Sequence, residues 1–366
     1  MWVSHRNELD NTQVFFNKDN NEEKIIAPIY IGNKRYIIKD ILSNSGGFGI
    51  IYIAIDTRLN NREVLVKANK YKPELMVNSL NNSNGLLNEQ TRKLLGEMRR
   101  GIEIEKRTLV SLKTGKEARM PSVIDYIRDF SPQLKEFNIP DNICNNEPYL
   151  IMQKIQGTTL SSYRENKDTL NILEERGYDD ISEWELDVLS YAYQLCTILD
   201  GFHKRSIIDG KKTYYIYQDL KPDNIILSHD KLITLLDFGA MTRVHEATIN
   251  GELTAITDKA FGSPGVGSPG YKAPEAIENP YKIDERVDVY TLGATIFNLL
   301  TGIKLNEIIK TKYDRIPVEE LLEDGYSKVT YEIVKKCTEL DRNNRYKNMS
   351  EVRHEIGNAF SQIKRK

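Results

Sequence analysis

The apolar positions of the chain fall into two regimes. From Tyr36 to Met152 they come mainly as short β-branched runs: Tyr36-Ile37-Ile38, Ile50 to Ile55, Val64-Leu65-Val66, Val123 to Ile127 and Tyr149 to Met152. Turn residues separate the first three (Ser43 to Gly49, then Asn60-Asn61), which predicts an antiparallel meander. One helix is predicted within this part, over about Thr91 to Leu112, because Leu95, Met98, Ile102, Leu109 and Leu112 lie on one stripe. After Gly157 helical patterns dominate, at Trp184 to His203, Val287 to Leu300 and Val329 to Cys337. Strands first and helices later predict an α+β chain in two lobes. The boundary falls near Gln153 to Gly157, giving domains at 33–155 and 156–366. Residues 1–32 are polar, with Asn7, Asn11, Asn17, Asn20 and Asn21 among acidic residues, and are expected to be a flexible or loosely docked extension. Asn78 to Gly85 is a loop by composition.

Composition narrows the class. The chain has 366 residues, 40% hydrophobic and 28% charged, enough for a sizeable core. Basic and acidic residues number 51 and 53, so no global field recommends nucleic acid or an anionic membrane as partner. The longest apolar run, Ile50 to Ile55, is far short of the ~20 residues that span a bilayer. Met1 to Arg6 lack the apolar region of a signal peptide. Cys144, Cys196 and Cys337 are odd in number, far apart and without metal-ligand spacing, so they read as buried free thiols. A reducing, cytoplasmic location is the expectation.

Three clusters carry candidate chemistry. Glu105 falls on the apolar stripe of the predicted helix, where a carboxylate costs several kcal/mol, to order of magnitude, unless a cation meets it. Lys67, ending the strand Val64-Leu65-Val66, is the natural partner; by itself the pair reads equally well as a half-exposed Glu beside a surface Lys. The loop Asn44-Ser45-Gly46-Gly47-Phe48-Gly49 frees backbone N–H groups to approach phosphate oxygens, though Gly-rich hairpins without ligands are common. No helix follows it, which excludes both the P-loop and the Rossmann fingerprint. The third cluster is Tyr217 to Leu227, where Asp219, Lys221 and Asn224 put a base, a cation and a metal ligand just before an apolar strand. Asp237-Phe238-Gly239 follows the next strand, and an Asp there suits a hard cation. Helix caps and turns use the same residue types.

Taken together and in this order, these motifs resemble the eukaryotic-type (Hanks-type) Ser/Thr protein kinase family over about residues 34–362. Ala273-Pro274-Glu275 looks like the end of its activation segment, Asp288 to Gly293 like the start of its buried central helix, and Arg345 like the late arginine that pairs with Glu275. The resemblance implies a bilobal kinase fold, with a small β-rich N-lobe carrying helix αC and a larger helical C-lobe. It implies ATP as phosphoryl donor, Mg²⁺ or Mn²⁺ as metal, and a protein with a Ser or Thr acceptor as substrate. By the same resemblance Lys67, held by Glu105, would orient the α- and β-phosphates. Asn224 and Asp237 would hold the metal, Asp219 would take the hydroxyl proton, and Lys221 would steady the γ-phosphate. ATP would be contacted by Asn44, Gly46, Gly47, Phe48, Gly49, Ile51, Leu65, Met152, Gln153, Ile155 and Ile226, with Met152 as gatekeeper. Ser268 matches a residue that bonds the catalytic Asp and Lys.

Departures from the family pattern are informative. Asn44 replaces the first loop glycine, and Leu65 a small residue over adenine. Tyr217-Gln218 replaces the usual His-Arg pair, so no arginine precedes the catalytic aspartate to hold a phosphorylated loop. The stretches from Lys67 to Glu105 and from Asp237 to Glu275 are long. The chain is expected to resemble a prokaryotic or viral stand-alone signalling kinase. A nucleotide-binding pseudokinase or scaffold is opposed by the presence of Lys67, Asp219 and Asp237. A kinase-fold enzyme for small molecules is opposed by Ala273-Pro274-Glu275.

Overall fold

A computed structural model describes residues 2–17, 24–44, 49–72, 76, 87–112, 119–164, 169–208, 210–249, 252–257 and 267–363. The protein is α+β and divides into two compact units, one of Met1–Ser111 with Pro121–Lys154, the other of Leu112–Met120 with Ile155–Lys366. The predicted loop at 78–85 lies outside the described residues.

The first unit is built on a six-stranded antiparallel sheet. Its strands are β4 (Tyr30–Ile31), β5 (Tyr36–Ser43), β6 (Gly49–Asp56), β7 (Arg62–Asn69), β8 (Val123–Asp129) and β9 (Glu147–Gln153), in the order β4-β5-β6-β7-β9-β8. Register decides which residues share a face. Ile51 pairs with Lys67, Ile53 with Leu65, Leu65 with Met152 and Lys67 with Leu150, so these lie together on one side. Their alternates Tyr52, Ala54, Val64, Val66 and Ile151 lie on the other side and are buried.

What buries that other side corrects the expectation for residues 1–32. The polar segment contains strands β1 (Trp2–Asn7), β2 (Thr12–Asn17) and β3 (Lys24–Pro28), paired antiparallel in the order β1-β2-β3. Phe15, Ile25 and Ala27 enter the same core as Val64 and Val66, and Gln13 Nε2 donates to the Ile38 and Pro28 carbonyls at 3.1 and 2.9 Å. Few apolar residues suffice here because strand alternation puts them on one face. Phe15→Ala should therefore destabilise the first unit by about 3–5 kcal/mol. Urea unfolding would read this, and a loss under about 1 kcal/mol would mean that the sheet is peripheral.

The second unit is mainly helical. Helix Ile181–His203 starts at Asp180, whose side chain accepts the Ser182 N–H at 2.7 Å. Helix Arg286–Thr301 is buried almost throughout and stops at Gly302, whose φ of 74° suits glycine. Helices Lys328–Cys337 and Met349–Ile363 complete the core. Two small sheets carry the loops that matter. β10 (Thr158–Thr159), β13 (Ile225–Leu227) and β14 (Ile233–Leu235) form one. β11 (Ser206–Ile208), β12 (Lys211–Ile216), β15 (Thr242–Ile249) and β16 (Glu252–Thr257) form the other. Cys144, Cys196 and Cys337 are free and buried. Among the described residues, no helix is long and apolar enough to cross a membrane.

Candidate active site

In the first unit Lys67 Nζ lies 2.7 Å from Glu105 Oε2, both side chains being almost fully buried. Lys67 comes from β7, and Glu105 from helix Glu89–Leu112, on the stripe formed by Leu95, Met98, Ile102 and Leu109. Gly49 matters to this pair. A Cβ there would sit 3.3 Å from Lys67 Cε, so a larger residue at 49 crowds the lysine stem. Ile51, Leu65 and Met152 are buried on the Lys67 face, and Gln153 ends β9. The Asn44 carbonyl accepts from Lys70 Nζ at 3.0 Å. Gly46, Gly47 and Phe48 lie outside the described residues.

In the second unit the short turn after β12 gathers four groups. Asp219 Oδ1 accepts the Ser268 N–H at 2.8 Å and the Ser268 hydroxyl at 2.7 Å. Asn224 Nδ2 donates to the Asp219 carbonyl and to Asp219 Oδ2, at 2.8 and 2.9 Å. Lys221 Nζ donates to Ser268 Oγ at 2.6 Å and lies 4.0 Å from Asp219 Oδ2. Asp219 is thus fixed by Asn224 from its own turn and by Ser268 from within the long 237–275 stretch.

Backbone strain accompanies this order. Gln218 and Asp237 adopt left-handed φ values of 66° and 52°, conformations that cost non-glycine residues of order 1–3 kcal/mol each. The cost is offset by specific acceptors. Fully buried Asp288 takes the Tyr217 and Gln218 N–H groups at 2.9 and 2.8 Å, and His203 Nε2 stands 2.8 Å from it. At Asp237, Oδ1 accepts the Gly239 N–H at 3.0 Å. The Tyr217 ring packs edge-on to Phe238 with centroids 5.6 Å apart, and its hydroxyl donates to the Leu236 carbonyl. Leu236 N–H in turn donates to the Asn224 carbonyl at 2.8 Å, linking the Asp237 turn to the Asp219 turn. Ile226 is buried in β13, and Ile155 belongs to the second unit.

The donor set fits a hard divalent cation. Asn224 offers an amide carbonyl and Asp237 a carboxylate, the oxygen ligands that such ions prefer. Further out, Arg345 grips Glu275 with both terminal nitrogens at 2.7 and 2.8 Å.

Sequence reasoning missed two charged groupings. In the second unit Glu246 on β15 meets Arg205 at 3.0 Å and Lys212 at 2.8 Å. In the first unit Glu147 is buried with Arg99. Both pairs join residues far apart in the chain, and neither carries a motif. The only hint was a carboxylate opening the apolar run of β9.

Comparison with known proteins adds an independent line. Residues 94–356 match the protein kinase domain. Similar curated proteins include one named probable serine/threonine-protein kinase from Clostridium acetobutylicum, 26% identical over 58% of this chain and 29% of its own length. Serine/threonine-protein kinase A of Synechocystis sp. is 30% identical over 42% of this chain and 26% of its own. Human serine/threonine-protein kinase Nek10 is 24% identical over 85% of this chain and 22% of its own. The chain therefore spans under a third of the length of each of these relatives.

Proposed function

The chain belongs to the protein kinase family, and from that premise we propose that it is a Ser/Thr protein kinase, moving the γ-phosphoryl group of ATP to a protein hydroxyl. The observation that supports this best is the hydrogen-bonded set of Asp219, Lys221, Asn224 and Ser268. The family implies ATP, a divalent metal and a protein substrate; Mg²⁺ is the metal proposed, with Mn²⁺ as substitute. In the first unit, a small β-rich N-lobe whose helix Glu89–Leu112 is αC, Lys67 directs the α- and β-phosphates while Glu105 keeps its ammonium aimed. Asn44, Gly46, Gly47, Phe48, Gly49, Ile51, Leu65, Met152 and Gln153 serve the nucleotide from this unit. Ile155 and Ile226 serve it from the second, the helical C-lobe.

Asp219 accepts the proton of the attacking hydroxyl as its oxygen bonds to phosphorus and ADP leaves. Lys221 stands beside it with a positive charge for the γ-phosphate oxygens. Asn224 and Asp237 hold the cation, which when bound neutralises charge on the phosphates. Positioning and charge neutralisation account for most of the acceleration in such transfers. Lys221 in Asp219-Leu220-Lys221-Pro222 and the segment Gly267 to Tyr271 favour Ser and Thr over Tyr as acceptors. The three buried free thiols suit a reducing, cytoplasmic setting. Incubation with radiolabelled ATP and a generic basic protein tests the proposal. Labelled Ser or Thr is expected. Binding of nucleotide without transfer would favour a pseudokinase, and label on phosphotyrosine alone would overturn the acceptor class.

Control follows from Gln218. Its Nε2 donates to the Ala240 carbonyl at 2.9 Å and to the Thr242 hydroxyl, so it holds the start of β15 without charge. Glu246, clamped by Arg205 and Lys212, fixes the same strand with a carboxylate of this chain. The candidate phosphorylation sites of this segment are Thr254, Thr257, Ser263 and Ser268: Thr257 is buried, Ser268 is engaged with Asp219 and Lys221, and the Thr254 side chain and Ser263 lie outside the described residues. Phosphatase-treated and autophosphorylated enzyme should accordingly show nearly equal initial rates on an exogenous peptide. A rise of about tenfold, roughly 1.4 kcal/mol in the barrier, would mean that another cation reads a phosphate in this segment.

A further inference from the structure

The first unit contains a buried charged cluster that the proposed transfer does not use. Glu147 opens β9 and is only 1% exposed. Its Oε1 accepts from Asn69 Nδ2 and from the Tyr71 hydroxyl, each at 2.6 Å, and its Oε2 from Arg99 Nε at 3.0 Å. Arg99 also donates through Nη2 to the Ile143 carbonyl at 2.8 Å. Burial pushes the Glu147 carboxyl upward, opposed by Tyr71, Arg99 and Asn69. A group so placed keeps its charge only while these partners stay together.

The position of Arg99 gives the cluster a function. Arg99 and Glu105 belong to one helix, Glu89–Leu112, and are six residues apart. Ideal geometry separates them by about 9 Å along the axis and by about 120° around it. Strand β7 supplies both counterparts: Lys67 meets Glu105 directly, and Asn69 reaches Arg99 through Glu147. A helix held at one ion pair can still roll or pivot about it. Two attachments on different sides and different turns remove both freedoms. The apolar contacts alone do not, because Leu95 and Met98 pack among Tyr71, Met76 and Leu134, contacts that tolerate sliding better than a charged hydrogen bond does.

We infer that Arg99 and Glu147 are positioning residues, a second latch that sets the roll of the helix carrying Glu105 and so keeps Lys67 aimed at the nucleotide phosphates. This rests on the kinase reading above. The arrangement makes the active placement of the helix intrinsic to the first unit, with no need of a modification to draw it in.

The test compares Arg99→Met, Glu105→Gln and the double variant by kcat for a peptide, by ATP Kd and by hydrogen exchange of the helix amides. Only 15% of the Arg99 side chain is exposed, and Arg99→Met leaves Glu147 without its cation; if that variant does not fold, Arg99→Lys, which keeps the charge but loses the fork, takes its place. The expected result is a fall of about tenfold or more in kcat, less than threefold change in ATP Kd, and faster exchange within Glu89–Leu112. In the Glu105→Gln background the same substitution should cost less than about twofold, since its effect passes through that pair. An unchanged kcat in Arg99→Met would overturn the inference, as would an equal loss with and without Glu105, which marks a purely structural role. Absence of transfer by the unmodified protein would instead sink the kinase reading. The exchange measurement judges the latch even then, and unaltered exchange in the helix would refute it.

Discussion

Asp219→Asn should lower phosphoryl transfer by about 10²–10⁴-fold, the range for loss of a positioned general base, with Mg·ATP affinity nearly unchanged. Asn is isosteric and can still accept from the Ser268 N–H and hydroxyl, and the Asn224 amide still donates to the backbone carbonyl of residue 219, so the turn is held while the proton acceptor and the Asn224 bond to Oδ2 are lost. Asp237→Asn differs in kind. It removes a carboxylate from the proposed metal site, so metal-dependent nucleotide binding should fall along with the rate. Calorimetric titration of ATP with and without Mg²⁺, beside a single-turnover assay, separates the two. Equal loss of binding in both variants would show that the roles are misassigned.

Lys67→Met should abolish measurable transfer, a loss of about 10²–10³-fold or more for removing one fixed charge stabiliser. Its effect on stability is a separate matter. Glu105 is 2% exposed, and leaving a buried carboxylate without its cation costs up to about 3–5 kcal/mol. The double variant Lys67→Met/Glu105→Gln removes that burden, so it should recover most of the stability and none of the activity. Thermal unfolding and the transfer assay read the two effects independently. Normal turnover in Lys67→Met would remove the lysine from the mechanism.

Much of the molecule was legible before any coordinates. The helix predicted from Thr91 begins at Glu89, and the helices predicted from Trp184 and Val287 begin at Ile181 and Arg286. Periodicity fixes such elements because a buried face must repeat with the backbone. The pairing of Lys67 with Glu105 was readable only with the other motifs, since the apolar stripe alone left a half-exposed Glu beside a surface Lys equally open. The extension at 1–32 was misread because composition weighs all residues equally. What orders that segment is a few side chains, Phe15, Ile25 and Ala27, aligned by strand alternation against a second sheet.

The sequence by itself determined the order of elements, the spacing that keeps Asp219, Lys221 and Asn224 in one turn, and the apolar strand that leads to Asp237. These are local properties, set by residue type and by distances of a few positions. The bond of Ser268 to Asp219 was expected from the family resemblance, but only the tertiary structure decided what holds Gln218 in a left-handed conformation and what ties Arg99 to Glu147. Each of those joins chain segments far apart in sequence. Burial strengthens two of them, at Asp288 and at Glu147, where a desolvated carboxylate must keep its hydrogen-bond partners.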